Sequence, residues 1–202
     1  WLAYQPSRAS SSSCVPRSTM RPSRSTTIRS ALTTADRRWL DVGCGTGALT
    51  AAVLEAGDPG EVHGVDPAQG FLDHAGRATH DPRARFSVGD ARSLPFPDAR
   101  FDAVVSGLVL NFVPEPAVAV AEFARVTAPG GVVAVYVWDY AEGMEMMRHF
   151  WDAATELDPA VAEQAEGRRF PLCRPGPLHE LWAAAGLGAV AVEPIEVLTR
   201  FP

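Results

Sequence analysis

Trp39-Leu40-Asp41-Val42-Gly43-Cys44-Gly45-Thr46-Gly47 is a short apolar run that ends in three alternating glycines. The run has the length of one buried strand, and the glycines let the backbone turn sharply and approach a ligand with no Cβ in the way. An Ala-rich stretch follows that suits a helix of about ten residues, with Leu49, Val53 and Ala56 predicted on its buried face. A helix in that place points its first N–H groups at whatever occupies the turn. A glycine turn between strand and helix also serves purely steric ends, so its companions along the chain decide what it is for.

Outward from this unit, β-rich runs alternate with Ala-rich helical stretches, the pattern of a parallel sheet covered on both faces. Glu61 to Val65 reads as a second strand ending at Asp66-Pro67, and Gln69 to about Thr79 as a helix. Arg85 to Val88 is a third strand ending at Gly89-Asp90, and Phe101 to Ser106 a fourth. Pro116 suits the first turn of a helix running to Thr127, and Pro129-Gly130-Gly131 breaks it before a fifth strand, Val132 to Trp138. Met144 to Leu157 and Leu178 to Ala185 read as further helices, and Ala189 to Leu198 is β-rich. The implied class is α/β, a doubly wound sheet.

The first 35 residues differ in texture. They hold Ser10 to Ser13, scattered prolines and five arginines, with no Asp or Glu and no apolar period. Residues 1–36 are therefore expected to be a disordered or non-native lead-in, and residues 37–202 the domain. Thirteen arginines against twenty-four acidic groups leave residues 36–202 a net charge of −11. So acidic a body is a poor nucleic-acid binder, because non-specific affinity comes mostly from neutralising phosphates. No apolar run reaches the ~20 residues of a membrane span. Cysteines 14, 44 and 173 form no C-x-x-C pair, so neither a disulfide framework nor a metal site is expected, and a cytoplasmic location is the default.

Three carboxylates accompany the glycine turn. Asp66 stands at the end of the second strand, where an acidic side chain can accept hydrogen bonds from both hydroxyls of a ribose. Asp90 ends the third strand, placed to accept from the exocyclic amine of a purine while the N–H of Ala91 serves a ring nitrogen. Singly, each could be a helix cap or turn former. Asp41 lies inside an apolar strand, which is costly unless backbone N–H groups or a cationic ligand satisfy it. S-adenosylmethionine (SAM) combines adenine, ribose, a sulfonium and an ammonium, and matches this set.

The ordered motifs WLDVGCGTG at 39–47, GVDP at 64–67, GDA at 89–91, LPFPDARFDAVVSGLVLNFVPEP at 94–116 and ARVTAPGG at 124–131 resemble those of class I SAM-dependent methyltransferases of the type 11 sort. The resemblance runs from about Arg38 to Leu198. It implies a Rossmann-like sheet of order 3-2-1-4-5-7-6, here expected to lack its last strand because only one late strand is legible. It further implies that Asp41 and the backbone of Gly43, Cys44, Gly45 and Gly47 hold the methionine portion of SAM. Asp66, with Pro67 beside it, would take the ribose, and Asp90 and Ala91 the adenine, while Ser106, Gly107 and Leu108 would line the methyl-donor pocket.

The implied activity is methyl transfer to a small-molecule acceptor. Donor and acceptor held in line supply much of the acceleration, so no catalytic group is assigned. Asn111-Phe112-Val113-Pro114 is the segment best placed to meet an acceptor. His149 is read as a surface or packing residue, and Met144, Met146, Met147, Phe150 and Trp151 as core packing in preference to a substrate lid. Two alternatives remain. The glycines also satisfy the loose NAD(P) oxidoreductase fingerprint, although Asp41 and Asp90 sit awkwardly beside a pyrophosphate. A non-catalytic SAM-binding protein of the same fold is the other.

Overall fold

The computed structural model describes residues 36–196 and the backbone of residues 2–5. Its elements are β1 (Leu2–Gln5), β2 (Arg38–Val42), α1 (Ala48–Gly57), β3 (Glu61–Asp66), α2 (Gln69–Ala78), β4 (Ala84–Val88), β5 (Phe101–Gly107), α3 (Pro116–Val126), β6 (Thr127–Tyr136), α4 (Glu145–Leu157), α5 (Glu166–Arg169), α6 (Pro175–Ala184) and β7 (Ala189–Val192). The sheet order is β4-β3-β2-β5-β6-β1-β7. Strands β2 to β6 are parallel, and β1 runs antiparallel to both β6 and β7.

Alternation along β2 sorts its side chains between two cores. Leu40 and Val42 pack with Val104, Val133, Val135, Phe123 and Trp182, under α3 and α6. Trp39 points the other way, with Val53, Leu54, Val62, Ala103, Val105 and Ala134, under α1. Asp41 shares the α1 side, which is how a carboxylate comes to lie between sheet and helix.

Four expectations change. The position beside β6 was expected to be vacant, yet Leu2–Gln5 pairs there, Leu2 with Val135 and Tyr4 with Val133, so the sheet has seven strands. Those four residues are extended, not disordered; residues 6–35, also assigned to the lead-in, and 197–202 lie outside the described residues. On α1 the buried residues are Thr50, Val53 and Leu54, while Ala56 is exposed, because the helix starts at Ala48 and its inward stripe is rotated from the predicted one. The fifth predicted strand begins early: Thr127 already pairs with Phe101, and an irregularity absorbs Pro129-Gly130-Gly131 before Val132 pairs with Ala103.

The fourth change concerns α4. None of its residues is buried, and Met146 and Phe150 are more than half exposed. The apolar stripe does not pack into the core as expected. Trp151 donates from its indole to Glu166 of α5, so this face turns toward the segment that follows α4 and away from the sheet.

Candidate functional site

The parallel topology brings the carboxyl ends of β2 to β6 to one edge, and with them Asp41, Asp66, Asp90 and Gly107. Open α/β sheets bind ligands in the crevice outside these ends. Gly43, Gly45 and Gly47 all have left-handed φ, +71°, +53° and +90°. The N–H groups of Gly43 and Cys44 donate to the Val65 carbonyl at 2.7 and 3.0 Å, pinning the turn to β3. A Cβ on Gly43 would lie 2.5 Å from Val109, so the turn and the segment after β5 touch backbone to side chain. That segment starts with Leu108 at φ +62°, a strained conformation for leucine, held by its N–H donating to the Tyr136 carbonyl at 2.8 Å.

Asp41 is fully buried. Its Oδ2 accepts from Thr50 Oγ1 at 2.7 Å, whereas Oδ1 has no partner among the described residues. Burial pushes the carboxyl up to about 7, opposed by the Thr50 hydrogen bonds and reinforced by the charge of Asp66. An ionised carboxylate half-satisfied in such a place is unfavourable, and a cation beside Oδ1 would remove the penalty.

Asp66 is also buried, and each of its oxygens holds one backbone N–H: Gly45 to Oδ2 at 3.0 Å and Ala68 to Oδ1 at 2.9 Å. Each oxygen keeps a lone pair, the requirement for a pair of vicinal hydroxyls. Pro67 is exposed beside it.

Asp90 differs from the free acceptor expected. It is gripped by Arg92, with Nη2 to Oδ2 at 2.7 Å, Nε to Oδ1 at 3.1 Å and the Arg92 N–H to Oδ1 at 2.8 Å. The Arg92 contacts hold its carboxyl down to about 2, and the same guanidinium reaches Glu115 at 2.9 Å. Nε also reaches Oδ2 at 3.2 Å, so each oxygen already faces two donors from Arg92. Ala91 is partly buried against the core.

Ser106 is fully buried and donates to the Val42 carbonyl at 2.8 Å, so its hydroxyl ties β5 to β2 within the sheet. Cys44 is buried with its thiol pushed up to about 12, by burial first and then by the charges of Asp41 and Asp66, which leaves no nucleophile there. Two residues escaped the sequence. Thr50 lies nine positions after Asp41, and only the true phase of α1 turns it inward. Tyr136 sits at the end of β6, where a polar-tipped aromatic at a strand's carboxyl end was the available signal.

Beyond β5 an aromatic group forms. Phe112 meets Phe170 edge to face with centroids 5.3 Å apart, and Tyr140 lies 5.5 Å from Phe170. Asn111 adjoins it with a buried Nδ2 that has no partner among the described residues. His149 is exposed on α4 and takes no part in this group.

Residues 40–135 match the family described as a methyltransferase domain. The chain carries a class I SAM-dependent methyltransferase domain. Among curated proteins, the demethylmenaquinone methyltransferase of Bacillus licheniformis is 42% identical over 96 residues, 46% of this chain and 41% of that protein. The malonyl-[acyl-carrier protein] O-methyltransferase of Halorhodospira halophila is 36% identical over 135 residues, 66% of this chain and 43% of that protein. The solved SAM-dependent methyltransferase of Mesorhizobium loti superposes with a TM-score of 0.51 at 26% identity, covering 56% of this chain and 54% of that one. The methyltransferase domain thus spans about two fifths of the length of these curated relatives. No helix among its described residues is long and apolar enough to cross a membrane.

Proposed function

We propose that the methyltransferase domain binds SAM at the carboxyl edge of its sheet and transfers the methyl group to a small-molecule acceptor by in-line displacement. The observation that carries this reading is the unpartnered, fully buried Oδ1 of Asp41 directly before the glycine turn. A carboxylate so placed favours a cationic methionine end and opposes a pyrophosphate, which weighs against an NAD(P) oxidoreductase. When bound, SAM supplies an already activated leaving group, so the chain's own part is to hold, orient and exclude water.

In this reading Asp41 takes the ammonium, the backbone of Gly43 to Gly47 passes under the methionine, and Asp66 holds the ribose. Asp90, steadied by Arg92, and Ala91 meet the adenine. Gly107 and Leu108 border the methyl. The acceptor enters past Asn111, Phe112, Tyr140 and Phe170, whose rings suit an apolar or aromatic molecule with one polar group for the Asn111 amide. The relatives named above act on demethylmenaquinone and on malonyl-[acyl-carrier protein], so the family fixes the donor more closely than the acceptor.

Titration calorimetry tests the first half: the protein binds SAM and S-adenosylhomocysteine and ignores NAD. Turnover of methyl-labelled SAM over a panel of quinols, phenols, carboxylic acids and amines tests the second. Tight SAM binding with no product from any class would favour a non-catalytic binding protein. Binding of NAD in preference to SAM would reject the proposal.

A further inference from the structure

Gly107 and Tyr136 are paired neighbours at the carboxyl ends of β5 and β6. Asp41, Val105 and Ala134 are in register across β2, β5 and β6, and Gly107 and Tyr136 lie two residues further along their strands. With a period of two, all five side-chain positions share the α1 face of the sheet. Tyr136 is thus the first large side chain beyond Asp41 on that face. Its ring leans across the neighbouring strand: a Cβ on Gly107 would stand 2.4 Å from the Tyr136 hydroxyl oxygen and 2.5 Å from Cζ. No side chain fits at 107 while the phenol lies there. Tyr136 is half-buried, and burial followed by the charge of Asp41 raises its phenol above the ordinary value, which places ring and carboxylate within electrostatic reach.

We infer that the Tyr136 hydroxyl forms the wall of the cofactor cradle at the sulfonium, occupying the side-chain volume of Gly107 and presenting an oxygen toward the donor methyl beside Asp41. The inference rests on the SAM reading above and deepens it by assigning the donor end to a residue that no motif marks. A phenol oxygen prefers a positively charged sulfur and its polarised methyl to a neutral thioether. Tyr136 therefore distinguishes SAM from its demethylated product, favouring donor binding and product release.

The test is calorimetric affinity for SAM and for S-adenosylhomocysteine, measured on the full chain and on variants. Tyr136→Phe keeps the ring and removes the oxygen; SAM binding weakens about threefold, as a C–H···O contact predicts, with the product's affinity unchanged. Gly107→Ala forces the ring aside and weakens SAM about tenfold, as does Tyr136→Ala. In the double variant the new methyl enters the volume the ring has left, so Gly107→Ala adds nothing to Tyr136→Ala. Equal weakening of both ligands in Tyr136→Phe, or no weakening, overturns the inference, as does additivity in the double variant. Should Gly107→Ala fail to fold, Tyr136→Phe alone decides. Failure of the unsubstituted protein to bind SAM would instead reject the cofactor reading itself, and this inference with it.

Discussion

Replacing Asp41 by Asn removes one charge from the centre of the domain and leaves its shape intact. The carboxyl moves from an ordinary 3.8 to about 7 on folding, chiefly because it is buried. At 1.36 kcal/mol per pH unit this corresponds to ~4 kcal/mol, an upper bound for one ionisation. The direction is set by the raised value: the fold prefers the protonated acid, so the contribution is fully present below about pH 4 and is lost as pH rises through about 7. An Asn keeps an acceptor for Thr50 and cannot ionise. The stability of Asp41→Asn relative to the parent therefore grows from near zero at pH 4 toward ~4 kcal/mol at pH 8. Urea unfolding of both proteins at four pH values between 4 and 8 measures this, and taking the difference cancels every other titrating group. A saturating cation at Oδ1 reverses the preference: at pH 8 Asp41→Asn binds SAM at least tenfold more weakly although it is the more stable protein. Parallel stability curves for the two proteins, or a parent that gains on the variant with rising pH, would refute the argument.

Asp66→Asn changes one backbone-facing oxygen into a donor that confronts the N–H of Gly45 or Ala68, so it loses about 1–3 kcal/mol of stability and tenfold or more in SAM affinity, read by thermal unfolding and calorimetry. Gly43→Ala puts a methyl 2.5 Å from Val109 at φ +71° and lowers stability by about 2 kcal/mol or more, visible as a drop in Tm. Met146→Ser and Phe150→Ser lie on the exposed face of α4 and shift stability by less than about 0.5 kcal/mol; a rise in KM for an apolar acceptor at unchanged SAM affinity would assign that face to acceptor binding. Cys44 resists thiol-directed labelling in the native protein and reacts on unfolding, as mapped by peptide mass spectrometry.

The glycine turn and its strand-end acid were legible because their physics is local. A glycine that must adopt positive φ, as at 43, 45 and 47, and an acid that must end a strand, as at Asp66, are written in the residue type itself. The parallel order also followed, since alternating strand and helix patterns leave few connections. The rest depended on distant partners. Which side of α1 faces the sheet turns on a rotation of the helix that period alone does not fix, and so Thr50 was overlooked. The pairing of Leu2–Gln5 with β6 joins segments more than a hundred residues apart, and four residues among serines and prolines carry no period to announce it. Arg92 reached Asp90 through a turn only two residues long, a contact that composition does not reveal.

The failure of α4 to bury its apolar stripe has a different cause. Amphipathic spacing shows that a helix has an apolar face and says nothing of what covers it. Among the described residues α1 packs on one face of the sheet and α3 and α6 on the other, and α4 adds no buried residue to either core. Between β6 and α6 the apolar side chains instead meet one another, Phe150 on Trp151 and Tyr140 on Phe170, and Phe170 meets Phe112 in the segment after β5. In the proposed reading the apolar side chains that follow β5 and β6 exclude water from the acceptor, while the glycine turn and its acids hold the charged donor.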